Sequence, residues 1–295
     1  MSDSIVERLA HPDGPTFSVE FFPPSDDAGV QQLIGTVESL RPLRPDWISV
    51  TYGATGASRY KTFAAVGAIR GTTDAQLMGH LTVAGQPLGE IRRALDAYAR
   101  LGVTHVLALR GDPPGGGRFE PHPDGFVNAT ELVRFVKGYG DFTVGVAAFP
   151  NPHPEGSPEL DAQLLLDKQE AGAEFAVSQM FFDPQAYVSM LGRFRSLGGT
   201  MPVIAGIMPI TVASQIERFA AMSGAPLPDG VVEPLRAVAD DPERFRQVGI
   251  ELVTQMCRDV IEAGAPGLQF FTLNRSTATS EILRRLRADA MAQAS

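Results

Sequence analysis

The sequence predicts an α/β fold of the (β/α)8, or TIM, barrel class. Eight short apolar runs each stop at a polar or turn-forming residue, and segments of helical period separate them. The 295 residues are also enough for one such barrel, which typically needs about 250. The runs are Phe17–Val19 before Glu20, Ile48–Val50 before Thr51, Leu77–Met78 before Gly79-His80, and Val106–Leu109 before Arg110-Gly111-Asp112. They continue with Val144–Phe149 before Pro150, Phe175–Val177 before Ser178-Gln179, Val203–Ile204 before Ala205-Gly206, and Leu268–Leu273 before Asn274-Arg275. A barrel of this class places its active site where the strands end, so those stops are the places to look for chemistry.

The elements between the strands follow in order. Pro23-Pro24-Ser25-Asp26-Asp27 makes a turn and helix start, and Val30, Leu33, Ile34, Val37 and Leu40 recur at helical spacing. Trp47–Val50 is short and β-branched, followed by the turn Gly53-Ala54-Thr55-Gly56 and a helix over Lys61–Arg70. Leu77–Val83 is strand three. Leu88, Ile91, Leu95 and Tyr98 form one stripe of a helix that Gly102 stops. Strand four, Thr104–Leu109, empties into Gly111-Asp112-Pro113-Pro114-Gly115-Gly116-Gly117, a heavily punctuated loop. A helix over Asn128–Val136 precedes strand five, Phe142–Phe149, and the rigid turn Asn151-Pro152-His153-Pro154. Helices over Leu160–Ala171 and Tyr187–Leu197 flank strand six, and strand seven ends in Gly206-Ile207-Met208-Pro209. Gln215–Met222 and Phe245–Ala263 are helices on either side of a Pro/Asp-rich connection, and Ser280–Ala290 is the last. With no internal repeat or linker, residues 1–295 read as one catalytic barrel without a regulatory domain.

Composition narrows the class. A 44% hydrophobic content supports a large core, and a net charge of −9 argues against a sequence-independent grip on nucleic acid or anionic membrane. The first residues lack the apolar stretch of a secretory signal, and nowhere do about 18 apolar residues run together. The single cysteine, Cys257, reads as a small buried hydrophobe on a helix, which fits a reducing cytoplasm. His11, His80, His105, His122 and His153 show no metal-ligand spacing, so no metal site is expected.

Several strand-end residues could carry chemistry. Glu20 lies between Val19 and Phe21-Phe22; a carboxyl amid aromatic side chains is poorly solvated, which suits a general acid. The competing reading is a surface-facing Glu in an alternating strand. Asp112 is either an Asx-turn residue or a carboxylate that stabilises positive charge in a ligand. Gly115-Gly116-Gly117 matches neither a dinucleotide fingerprint nor a P-loop. Ser18 and Ser178 lack a nucleophile-elbow context. Gln179 offers both a donor and an acceptor to the amide edge of a heterocycle, or is a polar barrel-interior residue. Phe219 and Arg275 are unremarkable on local pattern.

In order, the runs FSVEFFPP, VTYGATG, HLTV, LALRGDPP, VAAFPNPHPE, VSQMFFD, GIMPI and FFTLNR resemble the 5,10-methylenetetrahydrofolate reductase family from Phe17 to about Arg275. The resemblance implies a barrel that passes hydride from NAD(P)H to methylenetetrahydrofolate, normally through FAD, giving the methyl donor for methionine synthesis. It implies that Glu20 protonates N10 as the imidazolidine ring opens and that Asp112 stabilises the 5-iminium cation. Gln179 and Arg275 match folate contacts, and Phe219 matches an aromatic that stacks on folate or nicotinamide. Thr51, His80, Leu109, Arg110, Gly111, Ala129, His153, Asp161 and Lys168 match the flavin-lining set.

Three departures fall on that set. Where the family has Phe-x-Tyr-Ala this chain has Phe126-Val127-Asn128-Ala129. Where it has Asp-Leu-Leu-Asn-Leu-Lys-Arg-Lys, Asp161–Lys168 puts Leu164 in place of Asn and Asp167 in place of Arg. An anion replacing a cation opposite a diphosphate forfeits about 1.5–3 kcal/mol and adds repulsion. At about 1.4 kcal/mol per decade, FAD affinity would fall by a few orders of magnitude. The departures therefore favour a reductase without tightly bound FAD, in which NADH (or NADPH) occupies the vacated mouth and reduces the iminium directly. FAD held by the remaining residues, and a deazaflavin in the same cavity, are the alternatives. The choice between NADH and NADPH is not legible, because no Rossmann fingerprint is present, and neither is oligomeric state.

Overall fold

A computed structural model of the chain describes residues 4–10, 14–53, 56–112, 117–153, 156–224 and 227–293. Its strands are β1 (Thr16–Phe21), β2 (Trp47–Val50), β3 (Gln76–Thr82), β4 (His105–Leu109), β5 (Thr143–Ala148), β6 (Phe175–Ser178), β7 (Val203–Ile207) and β8 (Gly267–Phe271). All pair in parallel in sequence order, and β8 closes on β1 with Ser18 opposite Gln269 and Glu20 opposite Phe271. The eight predicted strands are therefore the eight staves of the predicted barrel.

Around it run α1 (Ile5–Leu9), α2 (Asp27–Leu40), α3 (Gly56–Arg70), α4 (Leu88–Arg100), α5 (Ala129–Tyr139), α6 (Pro158–Glu170), α7 (Pro184–Ser196), α8 (Gln215–Ser223), α9 (Asp229–Arg236), α10 (Pro242–Glu262) and α11 (Thr277–Gln293). Polar residues in the loops set where many of them start. Asp26, Asn128, Ser157, Asp183 and Asp241 each accept a hydrogen bond from a backbone N–H in the first turn of the helix that follows. Each such cap is worth about 1 kcal/mol.

The pleat divides the core in two. One set of strand side chains, including Val19, Phe21, Ile48, Val50, Leu77 and Phe270, packs outward against the helices. The alternate set, Trp47, Met78, Leu107, Phe175, Val177 and Ile204, fills the barrel axis, with Ile5 of α1 beneath them. Polar side chains share this interior: His105 lies at the floor beside α1, Ser18 and Gln269 stand level with Trp47, and Glu20, Ser49 and His80 are nearer the mouth.

Two helices were not foreseen. For α1 the signal was present: Ser4 and Glu7 form a capping box. The helix closes the floor because the Ile5 N–H donates to His105 Nε2 at 3.2 Å and Arg8 pairs with Asp46 at 2.7 Å. Burial lowers His105 to about 4, which keeps the ring a neutral acceptor. The Pro/Asp-rich connection between the seventh and eighth strands contains α9, with Pro234 inside it. Burial of Val232 and Leu235 on one side outweighs the composition that read as loop. Cys257 is buried on α10, and burial pushes its thiol pKa up, as expected of a packing residue. Among the described residues, no helix is long and apolar enough to cross a membrane, and no cluster of three or more His, Cys, Asp or Glu could hold a metal.

Candidate active site

A cavity of about 590 Å³ opens at the carboxyl ends of the strands. That volume is within the range of small-molecule and cofactor sites, roughly 300–1,000 Å³. Strand ends supply Glu20, His80, Leu109, Arg110, Gly111, Asp112, Phe149, His153, Gln179, Gln269 and Phe271; α5 and α6 supply Ala129, Leu160, Asp161, Leu164 and Lys168.

Glu20 sits on the inward face of β1, its side chain 13% exposed, so the surface-facing alternative does not hold. Its environment differs from the expected aromatic one. Phe21 points into the helix layer, Phe22 is exposed, and the carboxyl is surrounded by polar groups. Gln269 Nε2 donates to Oε2 at 2.8 Å and Ser49 Oγ donates to it at 3.3 Å. His80 Nε2 lies 3.2 Å from the same oxygen, yet off line for a hydrogen bond. His80 itself is fixed from behind, because Tyr98 donates its hydroxyl to the His80 carbonyl at 2.6 Å. What limits water at Glu20 is the depth of the site within the barrel.

Asp112 is exposed at the rim, one residue after Gly111, whose φ of 77° is the left-handed turn that ends β4. The loop beyond it, including the glycines Gly115 and Gly116, lies outside the described residues, as do Ala54, Thr55 and Pro154 of the other predicted turns. Gln179 lines the cavity; its side-chain oxygen accepts from the Met180 N–H at 2.9 Å, which leaves the amide NH2 as the donor.

A cationic wall stands between α6 and the end of β4. Arg110 donates to His153 Nε2 across 3.2 Å and lies over the Phe119 ring. Arginine has no acceptor, so this His153 nitrogen is unprotonated in that contact. The His153 backbone N–H donates to Asp161 Oδ2 at 2.9 Å. Lys168 donates to the Ala147 carbonyl at 3.1 Å and is lowered to about 8, chiefly by burial and further by Arg110, against the opposing pull of Asp161 and Asp167. Arg110 and Lys168 are the groups that suit a dinucleotide diphosphate, whether flavin or nicotinamide.

Not every predicted residue converges. Thr51 ends β2 with its carbonyl bound by Thr62 and is not among the lining residues. Phe219 on α8 is 1% exposed and stacked on Phe182, so in this conformation its ring offers no face to a ligand. Arg275 is exposed beyond the cavity, after the left-handed Leu273 and Asn274. The departures also separate. Leu164 is 39% exposed and lines the cavity. Asn128 lines it too, with Oδ1 engaged as the α5 cap. Asp167, expected to face a diphosphate, does not line the cavity; its Oδ1 accepts from Gln163 at 2.9 Å along the helix. Its charge reaches the site only through Lys168, because residues 161, 164 and 168 share the inward face and 167 does not.

Sequence reasoning missed Gln269 and Ser49, which position Glu20. The available signal was the strand alternation Gly267, Gln269, Phe271, with one polar residue in an otherwise apolar run.

Comparison with known proteins places the chain. A profile described as methylenetetrahydrofolate reductase matches residues 5–287. The chain is 33% identical over 287 residues to the 5,10-methylenetetrahydrofolate reductase of Escherichia coli, covering 96% of this chain and 95% of that one. It is 34% identical to methylenetetrahydrofolate reductase 1 of Schizosaccharomyces pombe, with 96% of this chain and 48% of the yeast protein covered. It is 33% identical to the maize protein named methylenetetrahydrofolate reductase (NADH) 1, with 96% and 50% covered. The chain thus spans about half the length of the yeast and plant relatives and nearly all of the bacterial one. Among solved structures, an uncharacterised protein from Clostridium thermocellum that binds two copies of 5-methyl-5,6,7,8-tetrahydrofolic acid has a TM-score of 0.62. It covers 98% of this chain and 99% of that chain at 11% identity, a likeness of fold alone. With a full-length profile match and relatives a third identical from end to end, the chain belongs to the methylenetetrahydrofolate reductase family, whose named members are oxidoreductases.

Proposed function

We propose that this protein reduces 5,10-methylenetetrahydrofolate to 5-methyltetrahydrofolate with hydride taken directly from NADH, without tightly bound flavin. The observation that carries the reading is Glu20, deep in the mouth and opening on the same cavity as Asp112 and Gln179. Glu20 gives its proton to N10, and the N10–methylene bond breaks to leave the 5-iminium cation. The Asp112 carboxylate stabilises that cation, and hydride from the nicotinamide adds to the methylene carbon. One proton and one hydride enter; NAD⁺ and the methylated folate leave. An iminium is a strong enough hydride acceptor to need no intermediate carrier.

The flavin-independent part rests on Leu164, an apolar side chain at the cavity where the family pattern has an amide, and on Asn128, where it has an aromatic. Asp167 adds less than its charge suggested, because it faces along the helix. The second reading is the same reaction through bound FAD. It is favoured by Arg110 and Lys168, which would hold the diphosphate of FAD, a group that would supply relayed hydride transfer.

The test is an absorbance spectrum of the purified protein from about 300 to 550 nm, followed by NADH oxidation with methylenetetrahydrofolate and no added flavin. A colourless protein that oxidises NADH only when the folate is present establishes direct transfer. A stoichiometric flavin band overturns it in favour of FAD. A colourless, inert protein calls for added FAD and then a deazaflavin.

A further inference from the structure

We infer that Gln269 is a positioning residue that decides which oxygen of Glu20 meets the substrate, and that Trp47 anchors it. The inference rests on the reading of Glu20 as the acid. Gln269 is fully buried on β8, beside Trp47 of the apolar cluster on the barrel axis. A buried amide there costs stability unless both ends are bonded, and packing alone is served as well by a methionine or leucine.

Both ends are bonded, and the bonds leave no ambiguity in orientation. The Trp47 indole N–H lies 3.3 Å from Gln269 Oε1 and is a donor only, so that atom is the amide oxygen. Ser18 Oγ lies 3.4 Å from the same atom and 3.3 Å from the Leu268 carbonyl; a hydroxyl can donate or accept, so the indole alone sets the orientation. The NH2 group is thereby turned toward Glu20 Oε2 at 2.8 Å. Register makes this possible: Ser18 on β1 is flanked by Trp47 on β2 and Gln269 on β8, in one layer of the interior.

The consequence lies at the carboxyl. Gln269, Ser49 and the nearby His80 all address Oε2, and among the described residues none is recorded at Oε1. An oxygen that accepts two hydrogen bonds is a poor place for the acid's own proton. The proton is therefore placed on Oε1, the oxygen left to the cavity, where N10 of the folate must come. Trp47 contributes without approaching the substrate: losing its N–H weakens the preference for one amide orientation and leaves Glu20 Oε2 alone to hold it.

The experiment is steady-state kinetics on Gln269→Met, Trp47→Phe, Glu20→Gln and the Glu20→Gln/Gln269→Met double variant, with thermal midpoints for each. Gln269→Met should lower kcat by about a hundredfold, the scale of a misplaced catalytic group, with both KM values within about twofold. Trp47→Phe should lower it by about tenfold in the same pattern. In the Glu20→Gln background, Gln269→Met should cost less than about twofold, since the two act as one unit. A Gln269→Met variant with wild-type kcat, a rise in KM alone, or full additivity with Glu20→Gln would each overturn the inference. If Gln269→Met does not fold, Trp47→Phe decides by the same split between kcat and KM. If Glu20→Gln itself turns over at the wild-type rate, the acid assignment fails instead.

Discussion

On the β8–β1–β2 side of the mouth, Glu20 is held by Gln269 and Ser49, and Gln269 by Trp47 and Ser18. Across the cavity, α5 and α6 present Asn128, Leu160 and Leu164 beside the cationic pair Arg110 and Lys168. The first wall is over-determined: Oε2 of Glu20 and both ends of the Gln269 amide are bonded, and every residue in it stands on a strand. The second offers two cations and an apolar surface, and two of its family-differing positions lie on it. Under the proposed function, the contrast shows where this chain is constrained. Acid chemistry needs one group fixed to a fraction of an ångström, which rigid strands supply. Holding a dinucleotide needs charge and area, which helix faces can change residue by residue.

The largest expected effect breaks the first wall. Glu20→Gln should lower turnover by about 10²- to 10⁴-fold, the usual worth of a general acid, while equilibrium binding of methyltetrahydrofolate stays near wild type. An unchanged rate would take Glu20 out of the chemistry. Remaking the second wall should do less. Leu164→Asn with Asp167→Arg should tighten FAD binding by about ten- to a hundredfold, read by flavin fluorescence titration, with Leu164→Asn giving most of the gain. Equal gains from each would show that Asp167 does reach the ligand.

A smaller effect belongs to Lys168. Its ammonium is lowered to about 8 by burial, so charge is lost as pH rises through that value. NADH affinity should be full below pH about 8 and weaken above it by a few fold, with the slope absent in Lys168→Met. Persistence of the slope in that variant would assign it elsewhere. The smallest effect lies behind the seam. Tyr98→Phe removes the hydroxyl that donates to the His80 carbonyl and should cost about 1 kcal/mol in denaturant unfolding, with the rate little changed.

Much of this could be read from the chain, and the failures have identifiable causes. Strand ends and motif order point to Glu20, Asp112, Gln179, Arg110, His153 and Lys168, and all six line one cavity. The helix faces were harder. On α6 a one-residue difference rotates a side chain by about 100°, enough to take Asp167 away from the cavity while Lys168 remains. Phe219 matched a ligand-stacking aromatic, yet its ring is satisfied by Phe182, a contact between elements far apart in sequence. The region of helix α9 reads as loop because its prolines and aspartates hide two buried aliphatics, Val232 and Leu235.

The chain alone dictates the barrel, since apolar strands alternating with amphipathic helices leave few ways to bury both faces of a parallel sheet. It also determined which strand ends are polar, and through motif order the family. Which oxygen of Glu20 is engaged, and that Asp167 turns from the cavity, emerge with the closed barrel. Only it could bring Trp47 and Gln269, 222 residues apart, into one hydrogen bond. Periodicity reports the face a residue occupies, whereas hydrogen bonding across a closed barrel depends on stagger and register between strands, which no local pattern encodes.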